Sequence, residues 1–470
     1  MAEKTPNQQL AEKLLFKPAY VGDKSAAVKQ EAHAFAEGYK KFLDAGKTER
    51  EVAAESEQML KDAGYQQFDP KKTYAPGDKV YFSQLGKAIV ASTIGTRSFE
   101  DGFHLVIAHT DSPRLDLRPT PLYESDHFSY FKTHYYGGIR KYQWGTMPLA
   151  IHGVFTRADG SSVSFSVGED ENDPVFCVSD LLIHLSHERM GKPASDVIEG
   201  EQLDVIIGGA PLNDEDKEPV RRNAMKLIAE KYGIEEEDFL SAEIEVVPAG
   251  KARDLGFDRS MILAYGHDDR VCAYAQVEAM FDIDVVPEKT VCCILTDKEE
   301  IGSVGATGMR ARFFENAIAE MMALHGEEGD LRLRRALTNS RMLSCDVSAG
   351  YDPNFASAFD KKNSAYLGRG VCFNKYTGSR GKSGSNDANA EYLADVRRVM
   401  DEGGVFFQTA ELGKVNQGGG GTIAYICALY GMNVVDSGVA VLSMHAPWEI
   451  ISKADLYEAY KGYKAFVLNA

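Results

Sequence analysis

Short apolar runs alternate with helical segments over the second half of this 470-residue chain. Apolar runs of four to eight residues are typical of buried strands, whereas longer amphipathic segments are typical of helices. The predicted strands cover residues 261–264, 290–295, 341–344 and 439–444. The predicted helices cover residues 270–281, 306–322, 388–402, 422–431 and 453–468. This alternation predicts an α/β fold in which helices flank a sheet.

The first 120 residues change from a helical pattern to a strand pattern. Up to about residue 65 apolar residues recur at three- and four-residue steps, and Gly46 is placed to end a helix. The residues with this spacing are Val28, Ala32, Phe35, Tyr39 and Phe42. Strand-like runs then cover residues 79–85, 87–92 and 103–108. These runs predict further strands of the same sheet.

The middle of the chain has a β-rich pattern of its own. The runs 150–155 and 162–167 flank Asp159 and Gly160, which is a strong hairpin signal. Further strands are predicted at 203–207 and 242–247. We therefore predict an α/β domain with a mixed sheet and flanking helices, split by a β-rich insertion. The predicted boundaries are 1–119 and 259–470 for the α/β domain and 120–258 for the insertion.

Charge and cysteine content limit the class of protein. The formal net charge is −18, which disfavours nucleic acid and anionic membranes as main partners because both require a basic surface. The seven cysteines include no C-x-x-C pair and predict reduced thiols rather than a disulfide framework. The N-terminus lacks the apolar core of a signal peptide, and no apolar stretch reaches the ~20 residues of a membrane helix. These features predict a cytoplasmic protein.

Five apolar runs are followed within a few residues by a side chain that can bind a metal ion. Ligands in open α/β sheets bind beyond the carboxyl ends of the strands, so these side chains are expected to converge. Each pattern alone is common in solvated turns or helix caps, and the argument rests on all five together. The side chains are His109 and Asp111, Asp268 and Asp269, Glu299 and Glu300, Asp346, and His445.

This set of residue types predicts metal-assisted hydrolysis. Two histidines and three carboxylates can hold two divalent ions, with one carboxylate between them. Imidazole and carboxylate ligands suit zinc, and cobalt or manganese is an alternative. The adjacent Glu299 and Glu300 fit a division of labour in which one binds metal and the other acts as general base. Asp111 is placed to orient the imidazole of His109.

Five segments in order, AHTDSPRL, GHDDRVCA, LTDKEEIGS, CDVSAG and MHAPWE, resemble motifs of the aspartyl aminopeptidase-like metallopeptidases. Members of this family are cytosolic exopeptidases with two zinc ions. The resemblance implies that Glu299 is the general base and that Asp111 is the partner of His109. It also implies that Asp268, rather than Asp269, bridges the ions. The implied metal ligands are His109, Asp268, Glu300, Asp346 and His445.

The same resemblance implies how substrate is held. Family members form tetrahedral dodecamers in which the insertion contacts a partner, and a histidine from it enters the neighbouring active site. His184, in LLIHL, matches that histidine, although an interface histidine without a catalytic role is the alternative. Lys375, in FNKYTG, matches a lysine near the substrate side chain, where a cation favours acidic residues; a solvated lysine is the alternative. Gly419 and Gly420, in the glycine run 418–421, are expected to cradle the substrate backbone; a flexible turn that enters a helix is the alternative.

The predicted activity is therefore removal of N-terminal residues, with acidic residues as candidates, from short peptides with a free N-terminus. The segment NQGGGGTIA and the residues after Lys375 differ from the eukaryotic members, so strict aspartate specificity does not carry over. A related amidase or carboxypeptidase and a non-catalytic metal-containing scaffold are the alternatives. His104 and His267 lie beside proposed ligands and are expected to be structural. The phosphate-loop and dinucleotide-binding fingerprints are both incomplete.

Overall fold

The helical start of the chain is divided by capping residues. The hydroxyl of Ser25 accepts the backbone N–H of Val28 at the start of the first long helix, and the hydroxyl of Thr48 accepts that of Glu51 at the start of the next. In the computed structural model, which describes residues 4–213, 217–378 and 380–470, Tyr39 and Phe42 are buried on the predicted helix face. The predicted helical region is thus confirmed as separate helices.

The α-helices that the described residues form are numbered in chain order. They are α1 (Pro6–Leu14), α2 (Ala26–Ala45), α3 (Glu49–Asp62), α4 (His187–Met190), α5 (Pro219–Tyr232), α6 (His267–Phe281), α7 (Phe313–Leu324), α8 (Asp330–Thr338), α9 (Ala390–Glu402), α10 (Ala424–Ala428) and α11 (Lys453–Asn469).

The strands are numbered in the same way. They are β1 (Gln66–Gln67), β2 (Lys79–Gln84), β3 (Ala88–Thr93), β4 (His104–His109), β5 (Arg114–Ser125), β6 (Phe128–Tyr136), β7 (Leu149–Thr156), β8 (Ser162–Val167), β9 (Val205–Gly208), β10 (Ala242–Pro248), β11 (Arg253–Leu255), β12 (Met261–Ala264), β13 (Val291–Thr296), β14 (Arg341–Cys345), β15 (Ser348–Ala349), β16 (Val371–Asn374), β17 (Phe407–Thr409), β18 (Asn433–Gly438), β19 (Ala440–Leu442) and β20 (Glu449–Ser452).

The main sheet is mixed and covered by helices on both faces. Its strand order is β1-β2-β3-β13-β4-β14-β18-β16-β17, and β13, β4, β14 and β18 run parallel. Along β4, Val106 and Ala108 pack into the apolar core on one face, whereas Leu105 and Ile107 pack into the core on the other. A strand buried on both faces has no polar alternation, which explains its continuous apolar run.

The β-rich middle of the chain forms a second sheet with its own core. The strand order is β8-β7-β10-β5-β6-β9, and all pairs are antiparallel. The predicted hairpin is confirmed, because β7 pairs with β8 and Gly160 at the turn has φ +84°. This sheet begins at Arg114, before the predicted boundary at residue 120, and its last strand ends at Pro248. The division into domains stays a prediction.

A third, smaller sheet corrects the expectation that all five apolar runs belong to one sheet. Its order is β11-β12-β20-β19-β15, so two of those runs, β12 and β19, lie here. The run predicted as one strand at 439–444 starts after Gly438, where the chain leaves β18 of the main sheet. A Cβ at Gly438 would lie 1.9 Å from the carbonyl oxygen of Asp346, so this close crossing requires glycine.

Two predicted helices are shorter in the structure. The helix predicted at 306–322 begins at Phe313, because the segment before it forms turns in which the N–H of Asp297 donates to the carbonyl of Thr307 and the N–H of Arg310 donates to the carbonyl of Ser303. The helix predicted at 422–431 is the five-residue α10. Asp268 and Asp269 have non-helical dihedral angles within α6, so its regular part starts at residue 270, as predicted.

Candidate active site

Three of the predicted site segments meet because the strands before them are parallel neighbours. His109 ends β4, Glu299 and Glu300 follow β13, and Asp346 follows β14. Because β13 and β14 both pair with β4 in parallel, their carboxyl ends lie at one edge of the main sheet. The sequence pattern therefore identified this edge correctly.

The other two segments reach the same place from the small sheet. Strands β12 and β19 are both antiparallel to β20, so they run in the same direction and end on the same side. Asp268 follows β12 and His445 follows β19. The site therefore lies between the ends of two different sheets.

Asp268 lies between the two histidines. Its Oδ1 is 3.2 Å from Nε2 of His109, and its Oδ2 is 3.3 Å from Nε2 of His445. Asp346 approaches His109 Nε2 to 3.9 Å, and Glu300 approaches His445 Nε2 to 3.5 Å. The two oxygens of one carboxylate thus face two separate groups of ligand atoms.

These groups fit divalent metal ions. One comprises His109, Asp268 and Asp346, another comprises Asp268, Glu300 and His445, and a third comprises His109, Glu299 and Glu300; the candidate atoms of each lie within 4.8 Å of one another. His109 Nε2, Asp268 Oδ1 and Glu300 Oε1 are buried and make no hydrogen bond within the described chain. Buried polar atoms are normally satisfied, and imidazole with carboxylate is a zinc-type donor set. The residues present therefore fit the metal that the sequence predicts.

Backbone carbonyls orient both histidines. Nδ1 of His109 lies 3.0 Å from the carbonyl oxygen of Asp111, and Nδ1 of His445 lies 3.0 Å from that of Gly138. When Nδ1 carries the proton and donates it to the carbonyl, Nε2 is free to bind a metal. Gly138 follows β6 of the second sheet, so the predicted insertion helps to build this site.

The carboxylate of Asp111 does more than the sequence predicts. Its Oδ1 is 3.4 Å from Nδ1 of His109, as expected of a partner. It also accepts the backbone N–H groups of Glu299 and Glu300, at 3.1 and 3.2 Å, and the hydroxyl of Tyr136 at 2.7 Å. Asp111 thereby holds the turn that carries the two glutamates.

Glu449 supports the ligand candidates from the small sheet as Asp111 supports the glutamates that follow β13. Glu449 was not identified as a site residue from the sequence. Its carboxylate accepts the backbone N–H of Asp268 at 3.0 Å and that of His445 at 2.7 Å. It closes the segment MHAPWE, so the motif contained the signal, but no spacing rule relates Glu449 to Asp268. One buried carboxylate thus fixes the two backbones that come from the small sheet.

Several carboxylates of the site are buried close to one another, which shifts their pKa values. Burial raises the pKa of Glu299 to about 8, and the nearby carboxylate of Asp346 acts in the same direction. Burial also acts to raise the pKa of Asp268, but the imidazoles of His109 and His445 beside its carboxylate outweigh burial, and the pKa is lowered. Glu299 therefore has a pKa suited to exchanging a proton near neutral pH, as do the buried carboxyls of Glu449 and Asp436.

A cavity of about 280 Å³ adjoins the ligand candidates. Glu299, Gly419 and Gly420 line it, as expected for a base and a substrate cradle. Lys375 does not line it; its ammonium is 3.5 Å from the carboxylate of Asp387, and about half of its side chain is exposed. His184 is exposed in the segment between β8 and β9 of the second sheet and is likewise absent from the lining.

Neighbouring titratable residues do not join the ligand groups. His104 contacts the carbonyl of Val467, and His267 lies between Tyr39 and the carbonyl of Ile262, in line with structural roles. The buried carboxylate of Asp269 makes no hydrogen bond within the described chain and belongs to none of the ligand groups found there. Asp268 and Asp269 therefore differ among the described residues, because only Asp268 belongs to a candidate ligand group; its role as the bridge stays a prediction.

A family model described as aminopeptidase I zinc metalloprotease, M18, matches residues 42–467. The chain belongs to the M18 family of zinc aminopeptidases. A Clostridium acetobutylicum protein named probable M18 family aminopeptidase 1 is 56% identical over 445 residues, covering 94% of this chain and 96% of the relative. A Thermotoga maritima protein of the same name is 46% identical over 444 residues, covering 93% and 96%.

Solved structures agree with this M18 assignment. The crystal structure of aminopeptidase I from C. acetobutylicum has a TM-score of 0.91 at 53% identity, and that of an M18 aminopeptidase from T. maritima has 0.93 at 43%. Each comparison covers 97% of this chain and 100% of the other. The S. cerevisiae mApe1 dodecamer, at 19% identity and a TM-score of 0.75, shares the fold and covers 93% of this chain and 97% of that one.

The predicted fold class and activity are confirmed. This M18 chain is a mixed α/β hydrolase of the aminopeptidase class, and its family is one of zinc metalloproteases. The amidase, carboxypeptidase and scaffold alternatives have no counterpart among these relatives. Among the helices of the described residues, none has the combination of length and apolar character needed to cross a membrane.

Proposed function

We propose that each subunit binds two divalent metal ions, most simply zinc, with cobalt or manganese as substitutes. His109 and Asp346 would hold one ion, Glu300 and His445 the other, and Asp268 would bridge them. The observation that carries this proposal is the position of Asp268, whose two oxygens face His109 and His445 separately. Two ions in such a site acidify a bound water and polarise the scissile carbonyl.

Glu299 would be the general base. It lines the cavity beside the ligand groups, and its raised pKa of about 8 suits it to take a proton from water and pass it to the leaving amine. Asp111 would keep Glu299 and Glu300 in place through their backbone N–H groups and would help to orient His109. Gly419 and Gly420, which also line the cavity, would contact the substrate backbone.

We further propose that the active enzyme is a homo-oligomer in which His184 enters a neighbouring subunit's site. His184 lies in an exposed apolar segment, where Ile183 and Leu185 are each 68% exposed. Exposed apolar segments of this kind mark protein interfaces. The mApe1 relative is a dodecamer; here dimers assembling into a tetrahedral dodecamer would cover this segment and bring His184 to the developing oxyanion.

The substrates would be short peptides with a free N-terminus. Access inside a closed oligomer would limit the enzyme to small or unfolded chains. Six of the seven free cysteines are buried, which fits the proposed location in the reducing cytoplasm.

The decisive experiment is cleavage of unblocked and N-acetylated dipeptides by protein that has been stripped with chelator and resupplied with zinc, cobalt or manganese. Metal content per chain is measured in the same samples. We expect metal-dependent release from unblocked peptides only, with activity rising until two ions are bound per chain. Cleavage of acetylated peptides, or full activity with one ion per chain, would contradict the proposal.

A further inference from the structure

The cavity beside the ligand groups contains acidic side chains that the metal chemistry does not use. Glu411 and Asp436 both line it, together with the predicted ligands and the glycine run. Among the described residues that line the cavity, none is a lysine or an arginine. An acidic substrate side chain would be expected to pair with a lysine or arginine; apart from the predicted metal ligands and Glu299, this pocket instead presents the carboxylates of Glu411 and Asp436.

Asp436 provides a buried acceptor that lacks a partner. It lies on β18 and is 1% exposed, and its Oδ1 accepts the hydroxyl of Thr422 at 2.5 Å. Its Oδ2 makes no hydrogen bond within the described chain. An unpaired buried acceptor is costly, so a donor supplied by a ligand would stabilise it.

Glu411 provides a second acceptor held in a defined position. The hydroxyl of Tyr376 donates to its Oε1 at 2.5 Å, and its backbone N–H donates to the carbonyl of Asn363 at 2.6 Å. In the described chain no lysine, arginine or histidine forms an ion pair with Glu411. Its second carboxylate oxygen is therefore available to a cationic ligand.

The nearby lysines are engaged elsewhere. Lys375 and Lys382 both pair with Asp387, at 3.5 and 3.1 Å, and Lys382 also lies over the ring of Tyr376. Lys382 lines the adjoining cavity together with Arg380 and Lys414, not the cavity next to the metal ligands. The lysine that the sequence suggested as a selector of acidic residues is thus paired with an acid and outside the lining.

We propose that this cavity receives the N-terminal side chain of the substrate and that Glu411, with Asp436, selects lysine or arginine over acidic residues. The inference rests on the proposed function and specifies its substrate class. Leu412 and Met444 in the lining would contact the methylene groups of such a side chain, while the carboxylates would bind its charged end. Tyr376 would act as a positioning residue for Glu411.

The test compares matched peptides. Lys-Ala and norleucine-Ala differ in the positive charge at the end of the side chain. Glu-Ala and Gln-Ala form the corresponding pair for a negative charge. For the metal-loaded enzyme we expect kcat/KM to fall in the order Lys-Ala, norleucine-Ala, Glu-Ala. In Glu411→Gln the ratio of Lys-Ala to norleucine-Ala should fall about 10- to 100-fold, the value of a hydrogen bond to a charged group.

Two controls keep the result interpretable. Glu171→Gln neutralises an exposed glutamate that is not part of the lining and should leave the ratio unchanged. Equilibrium binding of Lys-Ala and Glu-Ala to the Glu299→Gln protein should show the same preference without turnover. An unchanged ratio in Glu411→Gln, or a wild-type preference for Glu-Ala, would overturn the inference.

The proposed function and this inference fail in different ways. Metal-dependent cleavage of norleucine-Ala without any preference for Lys-Ala would overturn the inference alone. Absence of metal-dependent cleavage of every unblocked peptide would overturn the proposed function and the inference with it.

Discussion

The hydroxyl of Tyr136 donates a hydrogen bond of 2.7 Å to the carboxylate of Asp111. Tyr136 ends β6 of the second sheet, whereas Asp111 follows β4 of the main sheet. Arg114 lies over the ring of Tyr136, with its guanidinium carbon 3.8 Å from the ring centre. A residue of the predicted insertion therefore supports the carboxylate that holds Glu299 and Glu300.

Tyr136→Phe removes this hydrogen bond while keeping the ring. We expect kcat to fall about tenfold, because a hydrogen bond to a charged group is worth roughly 1.5–3 kcal/mol and part of that is lost when the glutamate turn shifts. The measurement is steady-state kinetics with parallel thermal denaturation. Tyr135→Phe, at an exposed neighbouring position, is the matched control. Full activity in Tyr136→Phe would show that Asp111 needs no support from the second sheet.

Glu299 and Glu300 are adjacent, but their substitution by glutamine should have different effects on kcat and on bound metal. Glu299→Gln removes the proposed base, so kcat should fall by about 100- to 10,000-fold while bound metal persists. Glu300→Gln removes a proposed ligand, so bound metal should fall as well. Metal analysis and kinetics on the two variants check this contrast. Loss of metal in Glu299→Gln with retention in Glu300→Gln would exchange the two roles.

The pair Asp268 and Asp269 allows a sharp test of the bridge. Asp268→Asn replaces the proposed bridging carboxylate by a neutral amide, so both ions should bind more weakly and the stoichiometry should drop below two. Asp269→Asn changes a buried carboxyl that belongs to none of the ligand groups in the described chain and should retain the metal. Metal titration of both proteins provides the measurement. Equal losses would mean that Asp268 is no more a ligand than its neighbour.

His152 should make stability depend on alkaline pH. It contacts Glu51 at 2.9 Å and Glu169 at 3.1 Å; burial opposes its charge, but the two glutamates raise its pKa to about 9. Because the folded-state pKa is raised, the stabilisation is complete below the ordinary value of 6.5 and is lost as pH rises through about 9. The charge of His152 therefore contributes about 3 kcal/mol to the free energy of unfolding.

Thermal denaturation between pH 6 and pH 10, in about five steps, tests this contribution. We expect His152→Gln to be less stable than the wild-type protein near pH 6 and the difference to shrink as pH approaches 10. His187→Gln, at an exposed position, is the control. A difference that stays constant across this range would assign the loss to packing rather than to charge.

Mixing inactive subunits tests whether His184 acts in a partner's site. His184→Ala and Glu299→Gln should each have low activity as pure oligomers. If His184 acts across the interface, subunits mixed, dissociated and reassembled should recover activity, because some sites then combine an intact Glu299 with a partner's His184. The same treatment of each variant alone gives the baseline. No recovery in mixed oligomers of proven composition would show that His184 does not act in a partner's site.

Much of the site was predictable because its signals are local in the sequence. His109, Glu300 and Asp346 each follow an apolar run, and parallel strands bring such positions to one sheet edge. Asp268 and His445 gave the same signal, but from strands of a different sheet. An apolar run reports that a strand is buried; it does not report which strands will pair with it.

Other features depended on contacts between distant parts of the chain. Gly138 and Tyr136, from the second sheet, support His445 and Asp111, and no spacing rule relates them. Lys375 matched a family position, whereas Glu411 had no motif to mark it. Glu411 lines the cavity and Lys375 does not. This difference depends on the paths of the two loops that carry them and on Asp387, which pairs with Lys375.

The sequence by itself determined the chemical groups of this M18 aminopeptidase, its strand and helix pattern, and the order of its motifs along the chain. These properties follow from side-chain chemistry and from periodicity over a few residues. Only the tertiary structure decided that two sheets supply the ligands, that Asp268 faces both histidines, and that carboxylates line the adjoining cavity. Those relationships arise from packing between segments that are distant in the sequence, as His109, Asp268 and His445 are, which local pattern does not encode.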